Sequence, residues 1–319
     1  MVTPATLAVQ PQSQPSENTT LSSIPSIDYN ISNIEKWAIY EPGSGFGYLG
    51  PSSRIRRLIT SVASQGSISQ ISAPHPNCSY VVEFYGPSIS CEPLGNSSLK
   101  DTITNIVDPP VGSGNIYNYI AWVPQSPSGI VNPLATEVLI GLNASMSQSS
   151  TAQQDVSLDT VDDDLARLYV YNDYQGVIEI MECGLYNTSY TVNFTFNNGQ
   201  QNISVTNTKQ LNGLNGTADI TAGGDYTVTS WAPYVALMDA LGQLLVGYLI
   251  TSHYGFLGTP MTQVINTVLM DTVEMQSVVS SRKVSPDSLT IAANTTISTA
   301  IEQVFRNATI SLFSDSYFL

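Results

Sequence analysis

Positive charge is scarce in this chain. Ten Lys plus Arg stand against twenty-five Asp plus Glu, a formal net charge of −15 over 319 residues. A nucleic-acid backbone is held by clustered cations that displace its counterions. The single cluster here is Arg54, Arg56 and Arg57, so no nucleic-acid partner is expected. Charge of either sign is thin as well: 11% of residues, against roughly 25% in soluble domains. The polar surface must therefore come from Ser, Thr, Asn and Gln. The acidic balance suits an acidic medium or serves as a solubility device.

Catalytic signatures are also missing. The two histidines, His75 and His253, belong to no HExxH and to no Cys/His cluster at ligand spacing, which argues against zinc. No G-x-S-x-G elbow accompanies them. Asp-Thr occurs at Asp101, Asp159 and Asp271, never followed by the glycine an aspartic protease needs. "GFGYLG" from Gly45 to Gly50 matches G-x-G-x-x-G, but Pro51 follows and no parallel strand–helix unit surrounds it. It reads as a glycine-rich turn. The acidic run Asp155, Asp159, Asp162, Asp163 and Asp164 lacks the D-x-D-x-D-G order of a calcium loop and reads as solvated. Glu179 and Glu182 are the tempting carboxylate pair for glycoside hydrolysis, yet three apart on a strand they point to opposite faces. No catalytic, cofactor-binding or metal-ligating residue is assigned, and no cofactor is expected. The opening MVTPATLAVQPQSQPSENTT has neither the basic nor the apolar region of a signal peptide. A secretory reading then requires something upstream to deliver the domain.

What is present points outward from the cytosol. Eleven Asn-x-Ser/Thr triplets start at Asn18, Asn30, Asn77, Asn96, Asn143, Asn187, Asn193, Asn202, Asn215, Asn294 and Asn307. Chance pairing of this composition gives about five. The excess favours passage through a secretory pathway, with these asparagines as glycosylation sites. Three of them crowd one stretch, "CGLYNTSYTVNFTFNNGQQNIS". There Val192, Phe194 and Phe196 alternate with Asn193, Thr195 and Asn197, and Asn198-Gly199 is a type I′ turn signal. The resulting hairpin is one-sided, with one face to a core and the other available to glycan.

Three cysteines, Cys78, Cys91 and Cys183, allow one disulfide and one free thiol. A tight turn at Gly86-Pro87 would pair Tyr85 with Ser88 and place Cys91 opposite Val82, away from Cys78. A bridge between Cys91 and Cys183 on separate strands is favoured. Three buried free thiols are the alternative.

Residues 1–30 read as a disordered Ser/Thr/Pro-rich linker. From 31 to 225, short apolar runs such as "YVVEFYG", "NIYNYIAWVP" and "TEVLIGLNAS", broken by Gly, Pro and Asn, have the rhythm of antiparallel β-structure. "RIRRLITSVAS" (54–64) fits a short helix or an edge strand. From 226 to 319 the pattern turns helical and is expected to pack on the same core. "MTQVINTVLMDTVEMQSVVSS" reads as one helix. In "TISTAIEQVFRNATISLF", Ile297, Ile301, Val304, Phe305 and Ala308 trace one face, with Thr299 and Glu302 as a capping box. Trp231–Ile250 has the length of a membrane span, but Asp239, Gln243 and Pro233 interrupt it and no Lys or Arg flanks it. It reads as a buried amphipathic helix. The expected fold is β-rich α+β: antiparallel, sandwich-like sheets followed by a helical C-terminal third.

The segments "PNCSYVVEFYGPSISCE", "ECGLYNTSYTVNFTFNNGQQNISV" and "AIEQVFRNATISLFSDSYFL" resemble three motifs of a family of large fungal membrane proteins of unknown function. Its members are often labelled hypothetical integral membrane proteins or "formylmethionine deformylase-like". In that family a non-cytoplasmic region of this size lies between membrane helices. The resemblance spans roughly residues 30–319. It implies that Cys78, Cys91 and Cys183 are framework positions, that the chain lacks the flanking spans, and that attachment to a membrane runs through segments absent from it. The enzyme label is unsupported, since a deformylase needs HExxH. The expectation is a glycosylated extracytoplasmic module, on the extracellular face of the plasma membrane or in the secretory lumen, with a binding or structural role. A cell-wall polymer or surface protein would be its partner. Tyr169, Tyr171, Tyr174 and Trp122 are the aromatics that would form a carbohydrate platform if exposed. The alternatives are a secreted glycosidase-like hydrolase using a carboxylate pair, and an intracellular fragment with unmodified sequons and reduced cysteines.

Overall fold

The computed structural model describes residues 7–8, 26–27, 29, 35–40, 48–97, 100–101, 103–104, 115–123, 167–174, 177–214, 232–252, 262–280 and 295–319. Period-2 runs build the sheets: β1 (Leu7–Ala8), β2 (Ala38–Tyr40), β3 (Tyr48–Pro51), β4 (Cys78–Pro93), β5 (Asn115–Trp122), β6 (Arg167–Tyr174), β7 (Val177–Asn197), β8 (Gln200–Gly213) and β9 (Gly247–Ser252). The main sheet has the order β1-β4-β7-β6-β5-β9, with β8 also paired to β7, and β2 and β3 form a separate ribbon. All pairings are antiparallel. The molecule is α+β, with its helices mostly in the C-terminal part and a sandwich-like layering about the sheet.

The long strand β7 organises everything. One edge pairs with β4 from Cys78↔Phe196 to Pro93↔Met181. The other edge is shared, β6 taking Val177–Gly184 and β8 taking Tyr186–Asn197. Around Ile180, Met181, Cys183 and Leu185 both side-chain parities are buried, so the sheet is covered on both faces there. Toward the hairpin tip only Tyr190, Val192, Phe194 and Phe196 are buried, the alternation expected of a half-solvated antiparallel sheet. Asn198 (φ 51°) and Gly199 (φ 79°) both adopt positive φ, as a type I′ turn demands. Within the stretch read as a linker, Leu7–Ala8 pairs with β4, and Ile27 and Tyr29 pack on the core.

Gly86-Pro87 is not a turn. β4 runs straight through it, with Pro87 opposite Asn187. The reason is strand orientation. The Cys91 N–H points away from β7 and donates to Glu302 Oε1 at 2.8 Å. Pro87 has the same parity, so its missing N–H lies on the outer edge, where no ladder bond is lost. Its carbonyl there accepts from Tyr190 Oη (2.8 Å) and Thr309 Oγ1 (2.9 Å). Cys91 and Cys183 are direct partners in the same register, with Cα atoms 3.9 Å apart, and form a disulfide. Non-hydrogen-bonded pairs bring side chains closest, which is why the bridge forms at this parity.

Helix α1 (Ser53–Gln65) realises "RIRRLITSVAS". Ser52 caps its N-terminus by accepting from Ile55 N–H, and Gly66 ends it at φ 68°. A side chain at Gly66 would also meet Val268 at 3.0 Å. The apolar stretch after Trp231 divides into α2 (Ala232–Leu245) and strand β9. Among the described residues no helix is long and apolar enough to cross a membrane. The expected single helix after residue 260 is instead two 3₁₀ turns, Val264–Asn266 and Val268–Asp271, then α3 (Val273–Ser280). Thr267 and Thr272 are extended, and their hydroxyls donate to Val264 O and Leu269 O. Threonine offers the backbone these local alternatives to a helical ladder. Helix α4 (Ile297–Ser311) forms as its periodicity predicts, but the capping box does not: Thr296 is the N-cap, accepting from Thr299 N–H, and Glu302 reaches β4 instead.

Two apolar clusters result. The larger joins Trp37, Ile55, Tyr119, Leu168, Leu185, Leu237, Ile301 and Phe305; the smaller holds Tyr80, Phe84, Tyr190, Phe194, Phe196, Ile310 and Phe313. Helix α4 contributes to both. Trp122, Tyr169 and Tyr171 are buried, and the first two stack at 5.4 Å, so they offer no exposed aromatic platform.

Burial pushes the hydroxyls of Tyr119, Tyr190 and Tyr234 well above the ordinary tyrosine range, and that of Tyr80 up to about 12. Tyr119 donates to Leu245 O and Tyr190 to Pro87 O, bonds that exist only in the protonated state. Between about pH 10 and the folded values, the unfolded chain releases protons that the folded chain retains. Stability is therefore full below about pH 10 and falls as pH rises beyond it. An alkaline titration is expected to show part of the tyrosine absorbance change coinciding with the loss of far-UV ellipticity. Independent ionisation of all tyrosines without unfolding would contradict this.

Candidate functional site

The tip of the sheet, where β4, β7 and β8 extend beyond the doubly covered centre, has two unlike faces. Tyr80, Val82 and Phe84 line up with Phe194, Val192 and Tyr190 across the β4–β7 register, with Ile203 and Val205 beside them on β8. This face packs on Ile310 and Phe313. The opposite parity gives three cross-strand rows: Ser79–Thr195–Asn202, Val81–Asn193–Ser204 and Glu83–Thr191–Asn207. Its chemistry is hydroxyl and amide, with Glu83 at one side.

Of the six sequon asparagines among the described residues, three lie here. Asn202 is exposed and Asn193 half-buried, and they are diagonal neighbours on adjacent strands. Ser79 Oγ donates to Asn193 Oδ1 at 3.2 Å and lies 3.2 Å from Thr195 Oγ1, the hydroxyl of the same triplet. The network uses the Asn193 carbonyl oxygen rather than Nδ2, the atom that accepts a sugar. Asn77 is exposed at the foot of β4, its Oδ1 accepting from Asn198 N–H (2.8 Å), while Gly199 N–H donates to Pro76 O (2.9 Å). Asn77 is thereby fastened to the hairpin turn. Asn187 is half-buried on β7, and Tyr234 Oη donates to its Oδ1 at 3.2 Å. Asn96 is exposed beyond the end of β4.

Asn307 differs in kind. It is 7% exposed, and its Nδ2 donates to Gly66 O at 3.0 Å, tying α4 to the end of α1. A sugar on that atom would break the contact and prise the helices apart. Asn18, Asn30, Asn143, Asn215 and Asn294 lie outside the described residues.

The other candidates stay apart. Glu179 is exposed, whereas Glu182, of opposite parity, pairs with Arg167. His75 lies in an exposed loop beside Asn77, and His253 and the acidic run from Asp155 to Asp164 lie outside the described residues. Among the described residues no group of three His, Cys, Asp or Glu side chains is placed to hold a metal ion. A small cleft of about 190 Å³ between Gly66, Val268, Thr272, Thr295 and Gln303 has one carboxylate on its lining, Asp271. A glycosidase needs two. Cys78 is a free thiol whose Sγ donates to His75 O. Compared with protein-family models, curated proteins and solved structures, the chain matches none.

Proposed function

We propose that this chain is a glycosylated extracytoplasmic module of a membrane protein, non-enzymatic, with a binding or structural role at the cell surface or in the secretory lumen. The observation that carries the reading is the gathering of Asn77, Asn193 and Asn202 at one hydroxyl- and amide-rich sheet tip, while the reverse face is core. The disulfide between Cys91 and Cys183 supports it, because such bridges persist in oxidising compartments. The resemblance of the two cysteine-bearing segments and the C-terminal segment to fungal membrane proteins supports attachment through segments outside this chain. A cell-wall polymer or a surface protein is the partner class that fits a hydroxyl- and amide-rich face with a single carboxylate, Glu83, at one side.

Glycopeptide mapping of protein from a glycosylating eukaryotic host tests the reading. Sugar is expected on Asn77, Asn193 and Asn202, whose Nδ2 atoms serve no packing contact described above, and not on Asn307. A bare chain with three free thiols would overturn the proposal. Full occupancy at Asn307 would overturn the packing argument for that residue alone.

A further inference from the structure

We infer that the strip of the polar sheet face around Tyr85 binds an uncharged, equatorially linked hexose polymer from outside the chain; this names the partner class of the binding module proposed above and rests on that reading. Tyr85 is opposite in parity to the buried Phe84. It stands in one cross-strand row with Ser189 and Lys209, next to the row of Glu83, Thr191 and Asn207. These two rows lie between the sequon pair Asn193 and Asn202 at the tip and Asn187, where Tyr234 at the start of α2 meets the sheet. Three strands by two rows make a strip about 10 Å across and about 7 Å along the strands, the scale of a disaccharide.

Tyr85 carries the inference. Among the described residues two tyrosines are exposed, Tyr85 at 41% and Tyr317 at 37%. The Arg54 guanidinium lies over the Tyr317 ring, 4.1 Å from its centroid, whereas the Tyr85 ring meets no ring or cation among the described residues. A hexose with equatorial substituents turns C–H bonds to its two faces and hydroxyls to its rim. Its face packs on the electron-rich face of a tyrosine, while its rim calls for donors and acceptors close by. The strip supplies both. The Glu83 carboxylate accepts, the Lys209 ammonium donates, and the hydroxyls of Ser189 and Thr191 and the Asn207 amide do either. Neither Glu83 nor Lys209 has an ion-pair partner among the described residues. In adjacent rows with opposite signs they balance each other, which suits an uncharged ligand over an acidic or a basic one. A peptide partner would draw on an apolar pocket, and the side chains beside Tyr85 in these rows are polar.

Calorimetric titration of the glycosylated protein with cellohexaose, an all-equatorial glucose oligomer, tests this, with hexagalacturonate as the charged comparison. Saturable binding of the neutral sugar and none of the acidic one is expected. Tyr85→Ala removes the stacking face and is expected to weaken binding about tenfold, while Tyr85→Phe keeps that face and should stay within about threefold of wild type. Glu83→Gln should weaken binding severalfold. Val177→Ala, at an exposed apolar residue at the far end of β7, should change nothing. Undiminished binding by Tyr85→Ala overturns the inference, as does preference for the acidic sugar or no binding of either. Binding that emerges only after enzymatic removal of the sugars on Asn193 and Asn202 overturns it too, because the chain's own glycan then fills the strip. Each of these failures leaves the glycosylated reading standing where the glycopeptide map shows sugar. A bare map with three free thiols overturns that reading instead, and the inference with it.

Discussion

Replacing Cys91 and Cys183 together by alanine is expected to lower the free energy of unfolding by about 4 to 5 kcal/mol. The bridge joins residues separated by 92 positions, and constraining a loop of that length in the unfolded chain has roughly that effect in the chain-entropy description. The native sheet does not depend on the bridge for its register: β4 and β7 remain paired over sixteen residues, with Tyr80, Phe84, Tyr190 and Phe194 stacked in register beside them. The variant should therefore keep its far-UV spectrum and lose midpoint. Urea melts of wild-type, variant and wild-type in reductant check this, the last two expected to coincide. Cys78→Ser is the control. Its side chain is half-exposed at the sheet tip, and its loss should change stability by less than about 1 kcal/mol. An unchanged midpoint in reductant would mean that the two sulfurs are not joined.

The terminal hairpin was legible because its determinants are local. Period-2 alternation of Val192, Phe194 and Phe196 and the Asn198-Gly199 pair fix faces and turn within a dozen residues. Gly86-Pro87 has the composition of a turn, yet β4 runs through it, because the sequence does not say which strand edge the proline nitrogen faces. That orientation is set by β7, about a hundred positions away. Helix α4 was readable from one apolar stripe; its N-cap, Thr296, lies next to it in sequence, but the second acceptor at its start, Glu274 on α3, comes from a segment more than twenty positions away. The sequons show the limit most plainly. Asn202 and Asn307 carry the same three-residue pattern, yet one is exposed on an edge strand and the other is a buried helix tie. A triplet records what an enzyme can recognise on an extended chain, whereas burial is a property of the whole packing.

Glu274→Ala is expected to cost roughly 2 to 3 kcal/mol, the second large effect, because one carboxylate holds the start of the helix that joins both apolar clusters. Glu274 is 8% exposed, and its Oε2 accepts the N–H of Ile297, the first residue of α4, at 3.1 Å. Thr296 Oγ1 accepts from Thr299 N–H at 3.3 Å, so two of the first free donors of the helix are satisfied, one by a neighbour in sequence and one by α3. A negative group at a helix N-terminus gains from the aligned peptide dipoles as well. Alanine leaves the Ile297 N–H buried without its acceptor. Glutamine retains a neutral acceptor and should cost about 1 kcal/mol, and Thr296→Ala, losing an ordinary cap, about the same. Hydrogen exchange locates the effect: amides of Ile297 to Ile301 should lose protection first, because the first turn frays before Phe305 and Ile310 release their clusters. If Glu274→Ala instead melts the helix from the Phe313 end, or leaves the midpoint within about 0.5 kcal/mol of wild type, the carboxylate is not the anchor. With α4 also meeting the edge of β4 through Glu302 at Cys91, and the end of α1 through Asn307 at Gly66, a frayed first turn loosens the layer that covers the disulfide strand.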